Sequence, residues 1–141
     1  MSDSILLKAR FAAAPESLKP MRAALASALG RAGCTQEDVR DIVVAVNEAC
    51  MNVIQHAYGN GCRCAIREFV LDVDKIGADV EIRITDFADP VNPAHIKPRS
   101  LDEVRPGGLG VHFIHAIMDE VCFTAPDDGQ GNRLVMKKRC Q

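Results

Sequence analysis

The chain has 141 residues, of which 48% are hydrophobic and 26% charged, and its formal net charge at pH 7 is −2. This length fits one domain that folds without a disulfide or a metal, and the composition excludes a disordered or fibrous chain. The small net charge argues against direct nucleic-acid binding through phosphate contacts. No apolar run reaches the roughly 18 residues of a membrane span, and the first residues lack a signal-peptide pattern. The six cysteines show no zinc-site spacing, so we expect reduced thiols and a cytoplasmic location.

The first part of the chain predicts one strand and two helices. Residues 5–11 alternate as a short strand, and residues 16–32 form an alanine-rich helical pattern that Gly33 ends. Thr35 is a good N-cap, and the acidic residues that follow it suit the positive end of a helix dipole. From this cap we expect a long helix that runs to about Tyr58.

The rest of the chain predicts four strands, one helix and one long loop. The loop contains four prolines, and a loop of this length inside a compact domain usually has a function. Because helices do not alternate with every strand, we expect an α/β (α+β) two-layer sandwich, with a mixed, mostly antiparallel sheet and helices on one face. In chain order these elements are strands over 63–73 and 78–86, the loop over 87–106, a helix that opens at residues 107–110 and runs to about Met118, and strands over 120–124 and 132–139.

The long helix carries a polar stripe opposite its apolar face. Glu48, Asn52 and His56 are successive i,i+4 neighbours, so their side chains line up on an α-helix. Apolar residues flank the stripe, which predicts that it is half covered. A carboxylate and an amide oxygen one turn apart suit a hard cation or a reacting hydroxyl. An ordinary solvated helix face is the alternative.

Asp86 ends a predicted strand and shares the parity of its apolar residues Val80, Ile82 and Ile84. Its carboxylate should therefore point toward the core. Since an unpaired buried charge is costly, it needs hydrogen-bond donors. They could come from the following turn, as in an Asx-type cap, or from a ligand amine such as that of adenine.

Three glycines, Gly107, Gly108 and Gly110, stand just before a predicted helix. Their backbone amides and the helix N-terminus could form an anion site, with Arg105 as a phosphate partner at its edge. A plain turn is the alternative. The pattern matches neither the P-loop nor the Rossmann fingerprint.

Three separated segments resemble the boxes of one family in order and spacing. EACMNVIQHAY resembles the N box of GHKL ATPases, DFADPVNP their adenine-recognition box, and RPGGLGVHFIHAIMDEV their glycine-rich box. The Glu-x-x-x-Asn-x-x-x-His-Ala-Tyr form is typical of anti-sigma-factor serine/threonine-protein kinases of the RsbW/SpoIIAB type. The resemblance covers nearly the whole chain and implies a single Bergerat/GHKL-type, histidine-kinase-like ATPase domain over 1–141, with an ATP lid at about 87–106.

The resemblance also implies roles for the matching residues. Asn52 would bind the Mg²⁺ that bridges the ATP phosphates, and Glu48 would act as general base on the hydroxyl of a protein substrate. Asp86 would accept a hydrogen bond from the adenine amine. The other contacts to ATP or ADP would come from His56, Arg105, Gly107, Gly108 and Gly110.

The implied function is that of an ATP-dependent serine/threonine protein kinase that is also an anti-sigma factor. It would sequester a sigma factor and transfer the γ-phosphate of ATP to a serine or threonine of an anti-anti-sigma (STAS-type) antagonist. Some relatives form homodimers, and neither direct nucleic-acid contact nor a membrane is implied. The alternative is a module that binds ATP or ADP and regulatory proteins without catalysis. The presence of Glu48 favours the kinase.

Two positions depart from the pattern of the family. Ala88 replaces the glycine of the usual Asp-x-Gly, so the extra methyl group predicts crowding near the base or a different backbone angle. Asn132 follows Gly131 where the family often has threonine, and its amide can still form hydrogen bonds.

Overall fold

The computed structural model describes residues 4–57, 67–88, 114–124 and 131–140. A 3₁₀ turn (Pro15–Ser17) precedes the first helix, a π-helical turn (Val53–Ala57) follows the second, and residues 114–117 are also helical. The main elements of these ranges are β1 (Ser4–Ala12), α1 (Leu18–Arg31), α2 (Gln36–Asn52), β2 (Glu68–Ile76), β3 (Asp79–Asp86), β4 (Glu120–Thr124) and β5 (Asn132–Arg139).

The five strands form one sheet in the order β1-β2-β3-β5-β4, and each of the four neighbouring pairs is antiparallel. The prediction of a mostly antiparallel sheet is confirmed. A two-residue turn joins β2 to β3, since Ile76 pairs with Asp79. Gly77 takes the first turn position with a φ of 62°, which glycine adopts without steric cost.

Gly33 ends α1 as the sequence predicts. Its φ of 86° lets the chain turn back. The Gly33 N–H donates to the Gly30 carbonyl at 3.1 Å, and the Cys34 N–H donates to the Leu29 carbonyl at 3.2 Å. These two bonds form a Schellman motif, which satisfies carbonyls that the helix end would leave unpaired.

The second helix begins as predicted and ends earlier than predicted. The Thr35 side chain accepts a hydrogen bond from the Asp38 N–H at 3.1 Å, so Thr35 is the N-cap. The α-helix stops at Asn52 and continues as the π-helical turn Val53–Ala57. The predicted helix toward Tyr58 is therefore α-helical to Asn52 and π-helical from Val53 to Ala57, and residues 58–66 lie outside the described ranges.

The core lies between the helices and one face of the sheet, which confirms the two-layer sandwich. Alternate residues of β2 and β3 point into it, because successive strand side chains point to opposite faces. The other face carries charge, where Arg83 forms ion pairs with Asp74 and Glu81. The largest fully buried side chains are Met21, Leu25, Leu29, Ile42, Val46, Phe69, Leu71, Val73, Val80, Ile82, Ile84 and Met136.

One side-chain hydrogen bond joins the two helices, and its acceptor also contacts a second residue of α2. Arg22 of α1 donates to the side-chain oxygen of Asn47 at 2.9 Å, and the Asn47 amide contacts the sulfur of Met51 at 3.4 Å.

No helix within the described ranges is long and apolar enough to cross a membrane.

Candidate functional site

The C-terminal ends of α2 and β3 lie at the same end of the sandwich. At the other end, the Lys75 side chain donates to the Ala32 carbonyl, just before α2, at 2.8 Å. Lys75 also pairs with Val80 at the start of β3. A 17-residue helix and an 8-residue strand both span about 25 Å. The fold therefore brings Asn52 and Asp86 to one end.

Asp86 is buried as the strand parity predicts, with 5% of its surface exposed. Its Oδ1 accepts hydrogen bonds from the Ala88 N–H at 3.0 Å and from the Asn132 side-chain amide at 3.1 Å. Asn132 is also the β5 residue that pairs with Asp86 in the sheet. The first bond is the Asx-type cap that the sequence allows, and the second comes from a residue far away in the chain.

The surroundings of Asp86 act on its charge in opposite directions. Burial raises the pKa of Asp86 above its ordinary value of 3.8, and this effect is the largest. Hydrogen bonds from the Asn132 side chain and from the backbone N–H groups of Ala88 and Asn132 lower the pKa. A ligand N–H donor at this carboxylate would further stabilise its charged form.

Gly131 lets β5 approach the end of β3. Its φ is 84°, a conformation that favours glycine. A Cβ atom at this position would overlap the Asp86 carbonyl oxygen and lie 3.0 Å from the Asp86 carbonyl carbon. It would also lie 3.3 Å from the Cα of Phe87. The backbone of Asp86 can therefore lie this close to residue 131 only because glycine has no side chain.

Ala88 takes the place of the expected glycine without backbone strain. No non-glycine residue in the described ranges has a positive φ, so the Ala88 methyl needs no left-handed backbone. Ala88 is 5% exposed, and its N–H still binds Asp86. Ala88 therefore adopts an ordinary backbone conformation at the position where the family usually has glycine.

Phe87 is held on the charged side of the sheet, next to the buried Asp86. The guanidinium carbon of Arg10 lies 5.1 Å from the centre of its ring, within the range of a cation–π contact. Arg10 also pairs with Glu68 at 3.2 Å. Sequence reasoning missed this contact and the close approach of Gly131, because both join segments that are far apart in the chain.

The polar stripe of α2 is half covered at Glu48 and Asn52, the two positions to which the family resemblance assigns roles. Glu48 and Asn52 are both partly buried, whereas Asp41 and Gln55 are exposed. Their i,i+4 spacing falls within regular α-helix, so the two side chains share a face. His56 belongs to the π-helical turn that follows.

The oxygen atoms of Glu48 and Asn52 are of the kind that Mg²⁺ prefers. No group of three or more His, Cys, Asp or Glu side chains in the described ranges is arranged to hold a metal ion. A magnesium ion here would therefore depend on the Asn52 oxygen, on water and on substrate phosphates, which is common for this ion.

The other predicted site residues lie outside the described residues. This applies to Arg105, Gly107, Gly108 and Gly110, and to residues 89–106 of the predicted lid.

The chain belongs to the family of the histidine kinase-like ATPase domain, whose profile matches residues 11–138. It is 31% identical over 136 residues to the serine-protein kinase RsbW of Bacillus velezensis. This alignment covers 86% of this chain and 79% of that protein. It is 32% identical over 134 residues to RsbW of Bacillus pumilus, with 86% and 80% covered. RsbW of Staphylococcus aureus is 31% identical over 126 residues, with 85% and 79% covered. The resemblance to RsbW-type GHKL domains is confirmed.

Solved structures show the same fold at lower identity. The RsbU and RsbW domains of a Mycobacterium tuberculosis protein match with a TM-score of 0.66 and 17% identity, over 95% of this chain and 31% of that chain. The histidine kinase domain of a blue-light-activated kinase from Erythrobacter litoralis matches with a TM-score of 0.51 and 16% identity, over 74% and 45%. This chain therefore spans less than half of either solved chain.

Proposed function

We propose that this protein is an ATP-binding anti-sigma factor with serine/threonine protein kinase activity. The observation that carries the proposal is the buried Asp86, which is held by Ala88 and Asn132 at the same end of the sandwich as Asn52. The buried carboxylate of Asp86 suits an amine at one end of a ligand, and the half-covered Glu48 and Asn52 suit phosphates at its other end. The RsbW relatives support the kinase activity.

In this proposal one group of residues contacts the adenine base and another contacts the phosphates. Asp86 accepts a hydrogen bond from the exocyclic amine of adenine. Asn52 would hold Mg²⁺ together with the phosphates of ATP. His56, Arg105 and the glycines Gly107, Gly108 and Gly110 would complete the phosphate contacts. Bound Mg²⁺ would neutralise charge that develops on the transferring phosphoryl group. Residues 87–106 form the lid of a single ATPase domain.

Glu48 is the proposed general base. It lies one helical turn before Asn52, so a substrate hydroxyl near the terminal phosphate would be within reach of its carboxylate. Taking the proton from that hydroxyl makes the oxygen a better nucleophile as the bond to phosphorus forms. The acceptor is a serine or threonine of a STAS-type antagonist, and a sigma factor is the partner that is sequestered. The reaction takes place in the cytoplasm.

Replacing Glu48 with alanine is expected to lower phosphate transfer by roughly 100-fold or more and to leave ATP affinity within about threefold. The base acts on the acceptor, whereas the affinity for ATP comes from other groups. The measurement is the initial rate of transfer from γ-labelled ATP to purified STAS-domain proteins of the same genome, together with a direct titration of ATP binding.

The matched control is Asp41→Ala, since Asp41 is an exposed carboxylate on the same helix. It should transfer phosphate at the wild-type rate. Unchanged transfer by Glu48→Ala would remove Glu48 as the base. If the wild-type protein binds ATP but phosphorylates none of the STAS-domain proteins, the alternative of a catalytically silent partner-binding module is favoured.

A further inference from the structure

The buried Asp86 has one neighbour on each side in the sheet, and the two differ in chemistry. Asp86 pairs with Phe69 of β2 on one side and with Asn132 of β5 on the other. Residues that pair directly present their side chains on the same face of a sheet. Phe69 is fully buried and its ring has no N–H or O–H group to donate. The polar cross-strand neighbour of the Asp86 carboxylate is therefore Asn132.

Two donors hold the Asp86 carboxylate by the same oxygen. The Asn132 side-chain amide donates to Oδ1 at 3.1 Å, and the Ala88 N–H donates to Oδ1 at 3.0 Å. Rotation of the carboxylate about its Cβ–Cγ bond would break both hydrogen bonds. Neither bond uses Oδ2, so together they set the direction of Oδ2 before a ligand arrives, which lowers the cost of binding.

The approach of β5 to β3 brings the Asn132 amide to this carboxylate. Gly131, which directly precedes Asn132, has a φ of 84°, and a Cβ atom there would overlap the Asp86 carbonyl oxygen. The glycine thus allows the start of β5 to lie against the end of β3. Because an ionised carboxylate only accepts hydrogen bonds, Asn132 turns its side-chain nitrogen toward Asp86.

We propose that Asn132 is a positioning residue for the ligand at Asp86: its side-chain amide holds the carboxylate so that Oδ2 faces the amine of the bound base. The proposal rests on the proposed nucleotide site and adds to it a residue that is 46 positions away in the sequence. Asn132 acts through Asp86 rather than by touching the nucleotide. Since the family often has threonine at this position, the amide donor is a feature of this chain.

The same hydrogen bond also stabilises the charge of Asp86. Burial raises the pKa of Asp86, and the side-chain bond from Asn132 is the largest of the effects that lower it. No charged side chain of the described ranges contributes to this pKa. Loss of the Asn132 donor should therefore raise the pKa of Asp86, so that the carboxylate takes up its proton at a higher pH.

Two titrations test the proposal: the NMR titration of Asp86 in the ligand-free protein, and ADP affinity between pH 4 and pH 8. The variant is Asn132→Leu, which has a similar branched shape but no donor. We expect the carboxyl carbon signal of Asp86, assigned by its absence in Asp86→Asn, to titrate at a higher pH than in the wild type. We also expect ADP affinity at pH 7 to fall about tenfold. Asn132→Thr keeps a hydroxyl donor and should show smaller changes.

The matched control is Arg133→Gln, on the next residue of the same strand. Arg133 pairs with Thr85, and its Nε donates to the Thr85 hydroxyl at 3.1 Å. This side chain points to the other face of the sheet, so the variant should titrate Asp86 and bind ADP as the wild type does. The proposal is overturned if Asp86 titrates at the same pH in Asn132→Leu as in the wild type. Equal effects of Asn132→Leu and Asn132→Thr would also overturn it, because hydrogen bonding would then not be the cause.

A third readout uses the wild type alone, so it does not depend on a variant that folds. The side-chain amide signal of Asn132 should shift with the same midpoint as the Asp86 carboxyl signal, and a signal that does not move would contradict the proposal. The readouts also separate this proposal from the proposed function. ADP binding by the wild type with no change in Asn132→Leu removes the positioning role and leaves the nucleotide site. No ADP binding by the wild type removes the nucleotide site, and the ligand role of Asn132 with it.

Discussion

Replacing Asp86 with asparagine is expected to weaken ADP binding about a hundredfold, equivalent to about 2.7 kcal/mol. The Oδ1 atom of asparagine can keep the bonds that Asp86 accepts from Ala88 and Asn132. Its other terminal atom becomes an N–H donor, which in the proposed site would face the donor amine of adenine instead of accepting from it. The measurement is a calorimetric titration of both proteins with ADP.

The stability of the same variant separates loss of binding from loss of fold. Since the pKa of Asp86 is raised in the folded protein, the folded chain holds the proton more tightly than the unfolded chain. The wild type therefore loses stability as the pH rises above 3.8 through the folded pKa, and Asp86→Asn lacks this loss. In urea unfolding, the free energy of unfolding of the variant should increase relative to that of the wild type between pH 4 and pH 7.

A control variant on the same strand is Asp79→Asn, which alters an exposed carboxylate at the opposite end of β3. It should bind ADP as the wild type does. Equal ADP affinity for Asp86→Asn and the wild type would show that Asp86 does not accept from the base.

Replacing Gly131 with alanine is expected to lower the free energy of unfolding by about 3–4 kcal/mol and to remove ADP binding. The new Cβ atom would overlap the backbone of Asp86 and Phe87, and the backbone at Gly131 has a positive φ. Since the clashing atoms are backbone atoms, the end of β3 must move, and Asp86 moves with it. Urea unfolding and an ADP titration measure the two effects.

Gly33→Ala is the matched control for this change. Its φ of 86° is nearly that of Gly131, but a Cβ atom there meets nothing within 4 Å. It should cost only about 1–2 kcal/mol, which is the effect of the positive φ alone, and it should leave ADP affinity unchanged. Similar costs for the two variants would mean that the close approach to Asp86 is not important for stability.

Local patterns account for the parts of this fold that the sequence predicts well. The N-cap at Thr35 and the end of α1 at Gly33 depend on a few neighbouring residues, so they can be recognised without the fold. The burial of Asp86 follows from the two-residue period of a strand whose other alternate residues are apolar. These features were found because their causes lie within a short stretch of chain.

The features that the sequence missed depend on contacts between distant segments. The contact of Gly131 with Asp86 exists because β5 pairs with β3, and no local pattern specifies that neighbour. The π-helical turn after Asn52 interrupts a sequence whose apolar spacing would suit a regular helix.

Calorimetric titration of the purified protein with ADP and ATP, with and without Mg²⁺, tests the central claim most directly. We predict saturable binding of both nucleotides, tighter with Mg²⁺ because in the proposed site the ion would be held by the phosphates together with the oxygen of Asn52. The absence of binding at millimolar nucleotide, in a protein shown to be folded, would contradict a nucleotide site at Asp86. The protein would then be a histidine kinase-like ATPase domain that works by binding other proteins alone.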